Sequence, residues 1–221
     1  EVCGSSEHFL YNAIGRISVA GKYGSVPVVM CKNCGFKFQN PRYDDDFYEE
    51  YYNLLYREVA FGAASPSENY VELQRVRGER VYKYLLEKKL LTRQTRVLDH
   101  GCASGETMYA FQENGYDIKG IDPHVPSVEL GNKNGRSIFV AGGESLPFKD
   151  QTLDLVVSLG SLEHVYNINK ALDEVSRVLT DNGILFARWR SNKIWGSPYE
   201  YYNHNHYRFF TINCWKIPLV F

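Results

Sequence analysis

Residues 96 to 122 constrain the fold more than any other stretch. Arg96-Val-Leu-Asp-His100 reads as a short buried strand, Ser104 to Asn114 as the helix after it, and Asp117 to Ile121 as a second strand ending in the acidic Asp122. Gly101 and Gly105 bracket the first turn. A strand–turn–helix–strand unit of this kind is a nucleoside-binding device. Its glycines let the backbone approach the ligand, and an acid about 20 residues beyond the turn accepts hydrogen bonds from the ribose hydroxyls. The dinucleotide version, G-x-G-x-x-G, needs glycine where this chain has Ala103 and Glu106.

Val97-Leu-Asp99-His-Gly101-Cys102-Ala103-Ser-Gly105 resembles motif I of the class I S-adenosylmethionine (SAM) methyltransferases, with Ala103 where glycine is commonest. The resemblance implies an α/β, Rossmann-like sheet with helices on both faces, and SAM as cofactor. It places Asp99, Gly101, Cys102, Ala103 and Gly105 along the methionine end, and Asp122 with Pro123 at the ribose. Gly142-Gly143-Glu144-Ser145-Leu-Pro-Phe148, feeding the apolar run Thr152 to Leu159, resembles the adenine loop and fourth strand of the same enzymes. Many relatives carry an acid where Gly142 stands. Its absence leaves Glu144 or a backbone carbonyl to accept from the adenine amino group, beside Gly143 and Ser145.

The remaining elements follow from periodicity. Glu68 to Leu91 reads as a helix with Tyr70, Leu73, Val81, Tyr84 and Leu85 on one face. A short helix is expected at Ser127 to Asn134 and a third strand at Ser137 to Ala141. Ile168 to Leu179 is an amphipathic helix stopped by Asp181-Asn182-Gly183, and Ile184 to Arg188 a fifth strand.

Ahead of this unit, Val26 to Phe38 reads as strand, knuckle, strand around Cys31-Lys-Asn-Cys34-Gly35. Two thiolates on a tight turn form one edge of a tetrahedral zinc site. Cys3-Gly4 reads as the end of a second knuckle, so a fourth ligand is expected just before Glu1. Such a site has no open position and is structural. A redox pair would open a helix, whereas Gly35-Phe36 continues as a strand. The odd cysteine count, five with Cys102 and Cys214, fits a reducing compartment, and the cytoplasm is expected. Cys31-x-x-Cys34-Gly35 followed by Asn40-Pro41-Arg42 and Tyr51-Tyr52 resembles the leader of bacterial zinc-module methyltransferases that modify sugars and polysaccharides, whose tyrosine segment closes over the cofactor.

Three units are therefore expected: a zinc-ribbon-like module at 1–42, an aromatic lid and linker at 43–67, and a SAM-binding methyltransferase domain at 68–221, whose terminal hairpin is expected beyond Phe221. Near the end, His206-Tyr-Arg208-Phe-Phe-Thr211 resembles the segment bordering the acceptor pocket in those enzymes, with Thr211 as a helix cap.

In-line methyl transfer needs positioning more than a reactive side chain. A hydroxyl or carbon acceptor also needs a base, and histidine titrates near the operating pH. His164, after the fourth strand, and His206 are the candidates, with His204 beside the latter; a structural role competes for each. Residues 188–211 carry Arg188, Arg190, Lys193 and Arg208 against Glu200, a basic and aromatic stretch suited to an anionic or nucleotide-linked sugar. Pairing of those arginines with acids elsewhere competes equally. The net charge of −1 gives no general pull toward nucleic acid, and no apolar run has the length of a membrane span. The expected function is methylation of a sugar or glycan intermediate at oxygen or carbon. An RNA base methyltransferase with a zinc module and a non-catalytic SAM-binding protein are the alternatives.

Overall fold

Antiparallel pairing opens the chain. A computed structural model describes residues 3–13, 17–19, 22–24, 27–50, 66–188 and 208–209. Strands β1 (His8–Ala13), β4 (Pro27–Cys31) and β5 (Lys37–Gln39) pair antiparallel, and β2 (Ile17–Val19) and β3 (Lys22–Gly24) form a separate hairpin. The β4–β5 turn is the expected knuckle. Cys31 N donates to Phe36 O at 2.8 Å and Gly35 N to Cys31 O at 3.0 Å. Helix α1 (Asp45–Glu50) follows, its Phe47 N–H capped by the Asp44 carboxylate at 2.9 Å.

Helix α2 (Glu68–Glu87), capped by Ser67, leads into five parallel strands: β6 (Arg96–His100), β7 (Asp117–Asp122), β8 (Ile138–Val140), β9 (Leu153–Leu159) and β10 (Leu179–Arg188). Their order is β10-β9-β6-β7-β8. Helices α3 (Tyr109–Glu113), α4 (Val125–Lys133) and α5 (Ile168–Val178) make the crossovers. A last strand, β11 (Arg208–Phe209), adds to the first sheet beside β5.

Burial on both faces explains the near-continuous apolar strands. Alternate residues serve opposite faces. Val97, Leu155 and Val157 join Val81 and Leu85 of α2, Phe111 of α3 and Val128 of α4. Leu98, Val156 and Ile121 join Leu146 and Val175 and Val178 of α5. The third cluster crosses between sheets, since Cys31, Cys34 and Phe36 pack with Leu162, Val165, Ile168 and Leu172.

Three local expectations are corrected. On α2 the buried residues are Gly78, Val81 and Leu85, while Leu73 is 66% exposed and Tyr84 is also exposed. The contact face is set by Gly78, where a β-carbon would strike the Thr107 backbone, so the helix turns its smallest residue inward. Ser104 to Asn114 is not one helix; a 3-10 turn at Glu106–Met108 precedes α3. Asp181-Asn182-Gly183 does not stop α5, which ends at Val178. Instead it bulges out of β10, where Leu179 pairs with Leu153 and Ile184 with Leu155.

Candidate functional site

The turn after β6 and the carboxylate ending β7 are in contact. Ala103 N donates to Asp122 Oδ2 at 2.8 Å, and His124 N to Asp122 Oδ1 at 2.9 Å. Gly101 N and Cys102 N both donate to Ile121 O, at 2.9 and 3.0 Å, which ties the turn to the neighbouring strand end. Gly101 has φ of 74°, and a β-carbon there would collide with Ser161 after β9. Ala103 takes a positive φ of 53° despite its methyl group. The Asp122 hydrogen bond holds it there, against a strain of about 1–2 kcal/mol.

Beneath the turn lies a second layer of polar groups. Asp99 is 3% exposed and accepts from the Thr107 hydroxyl. Burial pushes its carboxyl up to about 7, with Asp122 and Glu106 adding to the rise and Thr107 opposing it. Glu106, also buried, accepts from Ser104 Oγ at 2.9 Å. Cys102 is buried, and desolvation raises its thiol well above the ordinary range, so it stays an inert thiol.

His100 points to the opposite face. Its Nδ1 lies 2.8 Å from Ser161 Oγ, whose own proton goes to His100 O at 2.6 Å. Nδ1 is therefore assigned as the donor. Burial drives the imidazole down to about 4, so it is neutral near pH 7. Its ring occupies the space that a β-carbon at Gly143 would need. Glu144 is engaged too, accepting from Asn167 N at 2.8 Å. Ser145 N turns back to Gly142 O at 3.4 Å, and Ala141 N is bonded to Asp122 O at 3.2 Å, so this loop is tied to the strand that carries the acid. Pro123 lies between the two hydrogen-bonded residues Asp122 and His124.

His164 closes a 3-10 turn, Leu162–His164, directly after β9. It is half-buried and its N–H donates to Ser161 O at 2.9 Å. Two residues on, Tyr166 carries the Arg42 guanidinium 4.3 Å from its ring centroid and packs near Tyr48 at 6.2 Å. The segment after the knuckle thus reaches the turn that bears His164. His204, His206, Thr211, Tyr51 and Tyr52 lie outside the described residues.

Away from the strand ends, Cys3, Cys31 and Cys34 place their sulfurs within 4.8 Å of one another, a set able to hold a metal ion. Burial opposes ionisation of Cys3, yet hydrogen bonds from the Ser5 backbone, Cys34, Asn33 and Cys31 bring it down to about 7. Gly4 and Gly35, each following a cysteine of the set, share a φ of about 70° (70° and 71°). A groove of about 810 Å³ flanks the turn from outside, lined by Arg75, Glu106, Tyr109 and Arg136. Its cations and acids offset each other.

Sequence reasoning missed Thr107 and His124. The second had a signal, because Pro126 in the first turn marks a helix start just before it and so His124, two residues earlier, as the cap; its Nδ1 does accept from Ser127 N. Thr107 had none.

Residues 98–187 match the family model described as a methyltransferase domain. The chain is 27% identical to the sterol 4-C-methyltransferase strm-1 of Caenorhabditis elegans over 57% of its length and 39% of that protein's. It is 29% identical to the ubiquinone/menaquinone biosynthesis C-methyltransferase UbiE of Campylobacter jejuni, over 61% and 56% respectively. Among solved structures, YcgJ of Bacillus subtilis superposes with a TM-score of 0.52 at 25% identity, over 61% of this chain and 63% of that one. The chain thus spans from 39% to 56% of the length of these two sequence relatives. Among the described residues, no helix is long and apolar enough to cross a membrane.

Proposed function

We propose that this chain, whose residues 98–187 match the family model described as a methyltransferase domain, transfers the methyl group of SAM to a sugar or glycan-biosynthesis intermediate, at oxygen or carbon. The observation that carries the cofactor reading is the 2.8 Å bond from Ala103 N to the Asp122 carboxylate, which joins turn and acid in one cradle. Asp122 accepts from the backbone N–H groups of Ala103 and His124, and a carboxylate is an acceptor able to take several hydrogen bonds, the kind of group that ribose hydroxyls donate to. Gly101, Cys102, Ala103 and Gly105 lie along the methionine end, Asp99 holds the turn from below through Thr107, Pro123 stands beside Asp122 at the ribose, and Gly143, Glu144 and Ser145 border the adenine.

SAM supplies a methyl group already activated on a sulfonium. The chain's own residues position the acceptor, exclude water and remove a proton. His164 takes the proton from the attacking hydroxyl or carbon and returns it to solvent; His206 is the second candidate for that step. The knuckle is a structural zinc module in which Cys3, Cys31 and Cys34 supply three ligands. The matching glycine conformations after Cys3 and Cys34 support paired knuckles. Support for a sugar acceptor is the leader motif together with Arg42 held over Tyr166 beside the His164 turn, a cation suited to an anionic sugar.

Methyl-labelled SAM is incubated with nucleotide-linked sugars, with transfer RNA and with no acceptor. Label on a sugar nucleotide is the expected result. Label on RNA alone would replace the sugar reading with the RNA one. SAM binding without transfer to any acceptor class would favour the non-catalytic one.

A further inference from the structure

The loop from Ala141 to Asp150 has no regular hydrogen-bond ladder of its own, yet it carries the residues assigned above to the adenine edge. Two side chains of α5 hold it. Arg177 donates from Nη1 to Phe148 O at 2.8 Å and to Asp150 Oδ1 at 2.7 Å, and from Nη2 to Leu146 O at 3.1 Å. Its remaining donors fork onto Glu174, Nε to Oε1 at 2.7 Å and Nη2 to Oε2 at 2.8 Å. Glu174 Oε2 in turn accepts from Leu146 N at 2.7 Å. The helix therefore grips both the N–H and the carbonyl of Leu146, and the carbonyl two residues further on. At the other end of α5, the Asn167 N–H takes the Glu144 carboxylate at 2.8 Å.

We propose that Arg177, acting with Glu174, is a positioning residue for the cofactor: the pair fixes the 142–148 loop so that Gly143 to Ser145 read the adenine edge. This rests on the assignment of that loop to adenine. Gly142 is the reason such a clamp is needed. With no side chain there to accept from the adenine amino group, and the Glu144 carboxylate drawn to the Asn167 N–H, discrimination falls on backbone groups, and backbone groups select only if the backbone is held still. Guanidinium is the group suited to the task. Its planar fork reaches two carbonyls and two carboxylates together, whereas an ammonium offers three donors from one atom. The pair is only half-buried, so its place is to orient a loop more than to stabilise a core.

The test compares binding of S-adenosylhomocysteine with that of its inosine counterpart, which differs at the adenine amino position. Wild-type protein should prefer the adenosyl compound. Arg177→Met should bind it about tenfold more weakly and bring the ratio between the two ligands toward one, as loss of a selective hydrogen bond requires. Glu174→Gln, which keeps the size and removes only the charge, should move the ratio the same way by less. Arg96→Met is the control, since Arg96 forks onto Asp154 at 2.9 Å at the far end of β6. It should lower the melting temperature and leave the ratio unchanged. A wild-type ratio in both Arg177→Met and Glu174→Gln, while Asp122→Ala weakens both ligands, would overturn the clamp and leave the cofactor site standing. Unchanged binding in Asp122→Ala as well would overturn the cofactor site and the clamp with it.

Discussion

Leu98 and Leu10 are the same side chain on strands of one molecule, yet Leu98 is fully buried and Leu10 is 61% exposed. Leu98 sits in the middle of the parallel sheet, covered by α5 on its face, and its neighbours Val97 and Val156 are equally dry. Leu10 sits on β1, an edge of the antiparallel sheet. The buried residues around the knuckle, Cys31, Cys34 and Phe36, find their apolar partners in Leu162, Val165 and Ile168 of the larger sheet's layer. One sheet is held by burial from both faces. The other shares its core with the layer of the first, and the proposed metal site at Cys3, Cys31 and Cys34 would add to its hold. Small folded units lack the interior volume to manage otherwise, which is why they rely on ligated metals or disulfides.

The comparison breaks most visibly at the cysteines. On the proposed zinc reading, treatment with a chelator, or Cys34→Ser, should melt the antiparallel sheet while the parallel sheet keeps its structure, because structural zinc supplies about 10–16 kcal/mol in small domains. Hydrogen exchange of the β4 and β5 amides against those of β6 and β9 would register it. Equal protection of both sets after chelation would contradict the division. Next in size, Leu98→Ala should cost about 2–5 kcal/mol in urea unfolding, through lost transfer energy and a cavity. Leu10→Ala should stay within about 0.5 kcal/mol. Similar losses at both sites would remove the distinction.

A smaller effect sharpens the contrast within the parallel sheet itself, at adjacent residues on opposite faces. Asp99 is raised from 3.8 to about 7 by burial, so the native state keeps a proton that the unfolded chain has lost; its contribution is full below pH 3.8 and disappears as the pH rises to about 7. His100 is lowered from 6.5 to about 4 by burial, so its contribution is full above pH 6.5 and is lost as the pH falls to about 4. The two slopes oppose each other in the overlap, each at most about 1.4 kcal/mol per pH unit. Asp99→Asn should therefore become less stable on acidification through that window, and His100→Gln more stable. Parallel pH profiles for the two variants would count against opposite linkage.

The same contrast explains what could be read from the sequence. Leu153–Leu159 was legible because a strand buried on both faces reads as a near-continuous apolar run, and Arg96–His100 and Asp117–Asp122 because they flank the glycine turn and end at its acid. The face of α2 was not, because Tyr70, Leu73 and Tyr84 share a helical spacing while the actual contact is chosen by the close approach at Gly78. Asp181-Asn182-Gly183 carries the composition of a stop whether it ends a helix or bulges a strand. At the site, Gly101, Gly105 and Asp122 announce themselves by type and spacing. Arg177 does not. An Arg three residues after a Glu on a helix reads as a surface pair, and only the tertiary path of the 142–148 loop gives it two carbonyls to hold.

The central claim is that the turn at Gly101 to Gly105 and the Asp122 carboxylate form one nucleoside cradle. Calorimetric titration of S-adenosylhomocysteine into the wild-type protein and into Asp122→Ala addresses it directly. Saturable binding to the wild type, weakened by about 1–3 kcal/mol in the variant, is the predicted result. Equal affinity in the two proteins, or no heat in either, would contradict it.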